Sequence, residues 1–222
     1  MKENMPNEYK INIDGEWTLE DWYLFPHAYS QVYAFMYSLK EIRKIDNEVI
    51  DSFNITFDER IQFTYTSQPW RGGYSAVNFY NYLKTLVPSQ YRPRIKAAHY
   101  GSPGFLELIL FVPIAKSIKE IVRCFCESGV SLHSLYNEIY KGMQERKLLQ
   151  IDVKKKELEL KEADIEFINS AAQSLAKLMG FKNIEDLHRV TKNPLTSLKI
   201  ILSFYRRIKL LANYTTKGKT KF

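Results

Sequence analysis

Residues 193–213 read NPLTSLKIILSFYRRIKLLAN and carry a helix start, an apolar face and several basic side chains. Asn193-Pro194 opens the segment, and proline is well suited to the first position of a helix. Apolar residues then recur at intervals of three and four, which predicts a helix over residues 194–213 with one buried face. That face consists of Leu195, Leu198, Ile201, Leu202, Tyr205, Ile208 and Leu211.

Positive charge is concentrated at this end of the chain. The protein has 222 residues and a net charge of +7, yet its last 34 residues hold nine basic and no acidic side chains. Such asymmetry predicts an anionic partner. The predicted nucleic-acid-binding residues are Arg189, Lys192, Lys199, Arg206, Arg207, Lys209, Lys217, Lys219 and Lys221.

Two interpretations of the basic end stay open. Phe204 and Tyr214 stand beside basic positions, and basic residues interleaved with aromatics suit a nucleic-acid backbone through charge neutralisation and stacking. A basic helix can equally pack on an acidic protein or form a solvated face. The segment around Gly180 has a faint helix-turn-helix spacing, although Asp186 falls where that motif expects an apolar contact.

A long helical pattern precedes this region, over residues 131–179, with no proline and a single internal glycine, Gly142. Its apolar residues follow spacings of three, four and seven, which are typical of a coiled-coil seam. A charged helix of about 70 Å needs a partner helix, so we predict a homo-oligomer. The predicted oligomer interface consists of Leu148, Ile151, Leu158, Ile165, Ile168, Ala172, Leu175 and Met179.

The first 104 residues predict a separate α+β unit. Alternating apolar residues indicate strands over residues 9–13 and 94–100, and a β-hairpin over residues 53–57 and 60–66. Helices are expected over residues 26–45 and 76–87. The predicted fold class is α+β, with a small N-terminal mixed sheet and helices in residues 1–104, then a helical half in residues 105–222 that contains the long helix.

Residues 105–126 predict one amphipathic helix. Burial in the core is its simpler use, but its apolar face also fits a membrane surface, which is an alternative role for the protein. The most apolar stretch covers only residues 108–115, so no transmembrane helix is expected. The two cysteines, Cys124 and Cys126, form no disulfide framework, and a cytoplasmic location is predicted.

Residues 69–75, PWRGGYS, pose a choice between an anion site and a turn. Arg71, Gly72 and Gly73 stand ahead of a predicted helix, whose N-terminal amides can bind a phosphate. The glycine spacings of the P-loop and of the dinucleotide-binding motif are both missing. A sharp turn into the helix is therefore favoured over a weak anion-binding site.

Catalytic signals are weak throughout the chain. His27, His99, His133 and His188 lack metal-ligand spacing, and no nucleophile motif is present. We expect no metal and no cofactor, and the sequence favours a non-enzymatic role while leaving an active site assembled from scattered residues open.

Four motifs carry a family resemblance: GEW at 15–17, FPHAYSQVYAF at 25–35, PWRGGYS at 69–75 and YGSPGFLEL at 100–108. With the charged helix and basic end, they resemble small bacterial proteins to which no activity is attached. Such proteins are often accessory components of larger systems, including phage-defence loci. The resemblance therefore implies an accessory or effector role as an alternative.

The resulting hypothesis is a non-enzymatic assembly or adaptor module. It would self-associate through its helical half and present its basic end to an acidic partner, with nucleic acid and an acidic protein as the candidates.

Overall fold

The computed structural model describes residues 5–45, 52–154, 160–181 and 184–222. The helices within this part of the chain are α1 (Leu19–Ile45), α2 (Ser52–Thr66), α3 (Gly73–Leu86), α4 (Val112–Glu127), α5 (Gly129–Glu145), α6 (Glu162–Leu178), α7 (Glu185–Thr191) and α8 (Pro194–Thr216). The strands are β1 (Asn7–Ile13), β2 (Arg94–His99), β3 (Gly104–Leu110) and β4 (Thr220–Lys221). The predicted α+β class is confirmed.

The sheet joins the two ends of the chain. Its order is β2-β3-β1-β4, and every neighbouring pair is antiparallel. Ile11 lies opposite Leu106 and Ile13 opposite Thr220, and all four residues are buried. The sheet thus takes strands from both of the predicted units, residues 1–104 and 105–222, and one core cluster runs through both.

Helix α8 is the centre of the helical layer. Its predicted start is confirmed, because the Asn193 side chain accepts a hydrogen bond from the Thr196 amide at 3.1 Å. The whole predicted apolar face is buried, and so are Ile200 and Phe204, which lie outside that face. Burial extends around α8 because α1, α4 and α6 all pack against it.

The predicted hairpin over residues 53–57 and 60–66 is wrong, since both runs belong to helix α2. Ile61 and Tyr65 are four residues apart, and both are buried. Alternation over a short segment also places residues four apart on one helical face, so the pattern fitted both structures.

The predicted single helix over residues 105–126 is also wrong. Alternate residues Leu106, Leu108 and Leu110 are buried in strand β3, and α4 begins only at Val112, with Pro113 in its first turn. The apolar face of α4 lies in the core, where Ile118 and Val122 are buried, so that face is not open to a membrane surface. Across the described residues, we find no helix with the length and apolarity needed to cross a membrane.

The long helix predicted over residues 131–179 is interrupted. Helix α5 ends at Glu145, Lys147 has a left-handed φ of 57°, and α6 begins at Glu162. The break lets α6 fold back toward α5, where the ring of Phe167 packs against Gly142 with no room for a Cβ. A single extended helix would have left its apolar residues without a core.

The predicted oligomer interface is largely occupied within the chain itself. Leu148, Ile168, Ala172, Leu175 and Met179 are all buried, and α6 packs mainly on α8. Ile151 is half-buried and Ile165 is 39% exposed, while Leu158 lies outside the described residues. The heptad-like spacing therefore reflects an intramolecular helix pair.

Candidate functional site

Lys199, one of the nine predicted nucleic-acid-binding residues, faces inward. Its ammonium donates hydrogen bonds to the carbonyl oxygens of Trp70 at 2.9 Å, Leu149 at 3.3 Å and Ile151 at 2.8 Å. Burial lowers the pKa of Lys199 to about 8, and the nearby charge of Asp152 opposes that shift. Lys199 thus connects three segments of the fold and is not available to a partner.

The PWRGGYS stretch forms a turn. Gly72 precedes α3 with a φ of 100°, a conformation that favours glycine, and Trp70 is buried with a φ of 51°. Arg71 and Gly73 are exposed. Among the described residues, no further observation supports an anion site at Arg71, Gly72 and Gly73.

Lys219 is paired inside the fold. Its ammonium lies 2.8 Å from the carboxylate of Asp21, which also accepts a hydrogen bond from the Tyr214 hydroxyl at 2.8 Å. The terminal Phe222 stacks on Tyr29. The C-terminal segment is therefore ordered, and only Lys217 and Lys221 among its lysines are exposed.

Two predicted residues lie around the short helix α7. Arg189 is near Asp186, with 3.9 Å between the guanidinium and the carboxylate. Lys192 ends the helix in a left-handed conformation and is exposed. Both residues thus lie at the C-terminal end of α7, outside helix α8.

Neighbouring arginines of α8 point to different sides of the helix. Arg207 turns toward α1 and α3, where its Nε donates to Gln31 at 2.7 Å and its guanidinium lies 3.6 Å from the centre of the Tyr80 ring. Its Nη1 donates to the carbonyl and hydroxyl oxygens of Ser203, each at 2.9 Å. Burial lowers the pKa of Arg207, and these contacts hold the charge inside the fold.

Arg206 and Lys209 instead lie on the side of α8 that faces α5. With His133, Tyr136, Asn137 and Tyr140 of α5 they form a surface that we call the α5–α8 face. Lys209 Nζ lies 3.3 Å from His133 Nδ1, and Asn137 Nδ2 lies 3.2 Å from His133 Nε2. His133 therefore lies between Lys209 and Asn137, within hydrogen-bonding distance of each.

A stack of tyrosines anchors the α5–α8 face. The ring of Tyr136 is 4.1 Å from that of the buried Tyr205 at an angle of 13°, and Tyr140 stacks on Tyr136 at 6.1 Å. Burial raises the pKa of Tyr136, and the nearby charge of Arg206 opposes the increase. Tyr136 and Tyr140 stay half-buried, whereas Arg206 and His133 are exposed.

Sequence reasoning missed the α5 half of this surface. His133, Tyr136, Asn137 and Tyr140 follow the spacing i, i+3, i+4, i+7, which places them on one side of a helix. This spacing was visible in the sequence, but the four residues were interpreted only as part of the long helix predicted over residues 131–179. The aromatic neighbours that were predicted, Phe204 and Tyr214, are both buried.

Comparisons of the chain with protein-family models, with curated proteins and with solved structures found no match. Within the part of the chain that the structure describes, no group of three or more His, Cys, Asp or Glu side chains could hold a metal ion.

Proposed function

We propose that the protein is a non-enzymatic binding module whose α5–α8 face takes a single-stranded nucleic acid. The observation that carries the proposal is the position of Arg206 next to Tyr136, whose ring stacks with Tyr140, and of Lys209 3.3 Å from His133 on the same helix α5. Cations that neutralise phosphates, next to aromatic rings on which bases stack, form the usual surface for single strands.

The side-chain types on this face favour a nucleic acid over an acidic protein. An arginine and a lysine alone serve either partner, because both bind carboxylates as well as phosphates. Tyr136 stacks with both Tyr205 and Tyr140, so the outer ring of Tyr140 adds a flat, sequence-tolerant stacking surface, which bases use and carboxylate side chains do not. The described part of α8 carries no acidic residue that would repel a backbone.

The proposal assigns nucleic-acid binding to fewer basic residues than the nine that the sequence predicted. Lys199, Arg207 and Lys219 have their donors engaged inside the fold. Arg206 and Lys209 remain as the pair that both reaches the surface and adjoins aromatic rings.

Fluorescence anisotropy with labelled single-stranded DNA and RNA tests the proposal on the full chain. We expect the R206Q/K209Q double variant to bind at least about tenfold more weakly than the wild type, because two phosphate contacts are lost. The matched control is K217Q/K221Q, which removes two exposed positive charges from the same end of the chain. Its affinity should change much less.

Two results would contradict the proposal. Equal weakening in both double variants would indicate that net charge alone, and not the α5–α8 face, attracts the strand. No binding by the wild type at low salt would exclude the nucleic acid and leave an acidic protein as the partner.

A further inference from the structure

A second electropositive feature lies between α1 and α3 and shares no residue with the α5–α8 face. A cavity of about 300 Å³ opens between α1 and the C-terminal end of α3. Two cations line it, Lys84 from α3 and Arg92 from the segment after α3, together with the side chains of Ser30, Tyr33 and Thr85. None of the described residues that line this cavity is acidic.

More positive charge surrounds the cavity. Arg60 of α2 donates to the carbonyl oxygen of Thr85, a residue that lines the cavity, at 3.3 Å. Arg207 is close enough to Lys84 to affect its pKa: burial and then the charge of Arg207 lower the pKa of Lys84. Two cations therefore line the cavity, with Arg60 and Arg207 nearby, and no ion pair among the described residues joins any of the four to a carboxylate.

These cations are held in position by contacts with neutral groups. Arg92 Nε donates to the carbonyl oxygen of Val87 at 2.9 Å, which leaves the end of the guanidinium free to face the cavity. Gln31 accepts from Arg207 through its oxygen, so its amide nitrogen, 2.9 Å from His27 Nε2, donates to that ring. His27 is therefore a hydrogen-bond acceptor here, and it adds no charge of its own.

The lowered pKa of His27 agrees with an uncharged imidazole at this position. Burial, followed by the charges of Lys84 and Arg207, lowers the pKa of His27. Lys84 and Arg207 are half-buried and have no counter-charge among the described residues, so they repel each other, and an anion bound beside Lys84 would offset that repulsion.

We propose that this cavity binds the phosphate group of a small phosphorylated molecule. The guanidinium of Arg92 presents two parallel donors that match a phosphate, and Lys84 adds a point charge beside it. A volume of about 300 Å³ lies at the lower end of the range for small-molecule sites, so it fits a phosphate with a short organic group and not a dinucleotide. This site is separate from the α5–α8 face and does not depend on the function proposed for that face.

Isothermal titration calorimetry of the full chain with inorganic phosphate and with glycerol 3-phosphate tests the proposal. Sodium chloride at matched ionic strength controls for screening. We expect both phosphates to bind, and a tighter Kd for glycerol 3-phosphate would identify the organic ester as the natural source. Equal Kd values would identify free phosphate.

Variants of Lys84 locate the binding. Lys84→Gln should weaken the Kd for phosphate at least about tenfold, because a charged hydrogen bond is lost. Lys84→Arg should restore most of the affinity, and Lys116→Gln, at an exposed position on α4, should leave it unchanged. Arg92→Gln should reproduce the loss if Lys84→Gln does not fold.

The outcome also separates this site from the α5–α8 face. Lys84→Gln should keep the affinity for single-stranded DNA, and R206Q/K209Q should keep the affinity for phosphate. Phosphate binding no stronger than that of chloride, or an unchanged Kd in folded Lys84→Gln and Arg92→Gln, would overturn the proposal.

Discussion

The ammonium of Lys199 donates a hydrogen bond to the carbonyl oxygen of Trp70, 2.9 Å away and 129 positions earlier in the chain. The same nitrogen reaches two further carbonyls, at Leu149 and Ile151. One buried cation thus fixes the turn before α3 and the break after α5 to the central helix. A lysine that looks like part of a basic binding surface is instead a structural connection.

Replacing Lys199 tests this role directly. Lys199→Met keeps a long unbranched side chain without the terminal ammonium, and it leaves three carbonyl oxygens without their donor. We expect the free energy of unfolding to fall by about 3 kcal/mol or more, measured by chemical denaturation. Lys116→Met, at an exposed position on α4, should change it by less than about 0.5 kcal/mol. Similar small effects from both variants would show that the three hydrogen bonds contribute little.

Asp21 should make stability depend on pH in the acid range. Burial of Asp21 raises its pKa, but hydrogen bonds from Lys219, Thr18 and Tyr214 together lower the pKa well below the ordinary value of 3.8. The unfolded chain therefore takes up the proton first as the pH falls. The stabilisation is fully present above about pH 4 and is lost at lower pH.

Asp21→Asn measures that contribution. At pH 7 the free energy of unfolding of the variant should be about 1 to 2 kcal/mol lower than that of the wild type. The difference should shrink below about pH 4, as the wild type loses the same interaction. Glu16→Gln, at an exposed neighbouring acid, serves as the control. A difference that stays constant from pH 7 to pH 3 would contradict the lowered pKa.

Leu175 distinguishes an internal helix pair from an oligomer seam. Because Leu175 is fully buried under α8, Leu175→Ala should cost about 2 to 5 kcal/mol of stability. Ile165→Ala, on the same helix but 39% exposed, should cost clearly less. The folded Leu175→Ala variant should elute from a size-exclusion column at the wild-type volume. A shift to a smaller species would instead support the seam that the sequence predicted.

Tyr136 tests the stacking half of the proposed function. Tyr136→Leu keeps an apolar side chain but removes the aromatic ring from the α5–α8 face. We expect the affinity for single-stranded DNA to fall by about 1 to 3 kcal/mol, the usual value for one stacked base. Tyr74→Leu, at a tyrosine that is 87% exposed on α3, is the matched control. An unchanged affinity in Tyr136→Leu would mean that the tyrosine stack does not contribute to binding the strand.

The parts of the fold that the sequence predicted carry their signals locally. The start of α8 follows from Asn193-Pro194, and the start of α1 is fixed in a similar way by reciprocal hydrogen bonds of 2.9 and 3.2 Å between Thr18 and Asp21. Both depend on residues within one turn of each other. The propensities of nearby residues are enough to specify such features.

The errors arose where tertiary packing decided the outcome. Residues 131–179 keep a helical period throughout, but the chain breaks at Lys147 because Leu148 and Ile168 must reach the core that α8 provides. In the same way, the charge composition led to the prediction that all nine basic residues bind nucleic acid. Composition does not reveal that Lys199 lies on a helix surrounded by other helices on nearly every side.

The salt dependence of single-stranded DNA binding tests the central claim most directly. Each phosphate neutralised on a single strand contributes about 0.7 to the slope of log Kd against log salt concentration. If Arg206 and Lys209 each contact one phosphate, R206Q/K209Q should lower that slope by about 1.4, while K217Q/K221Q should leave it nearly unchanged. An R206Q/K209Q slope equal to that of the wild type would show that these residues do not contact the strand, and the proposed function would be wrong.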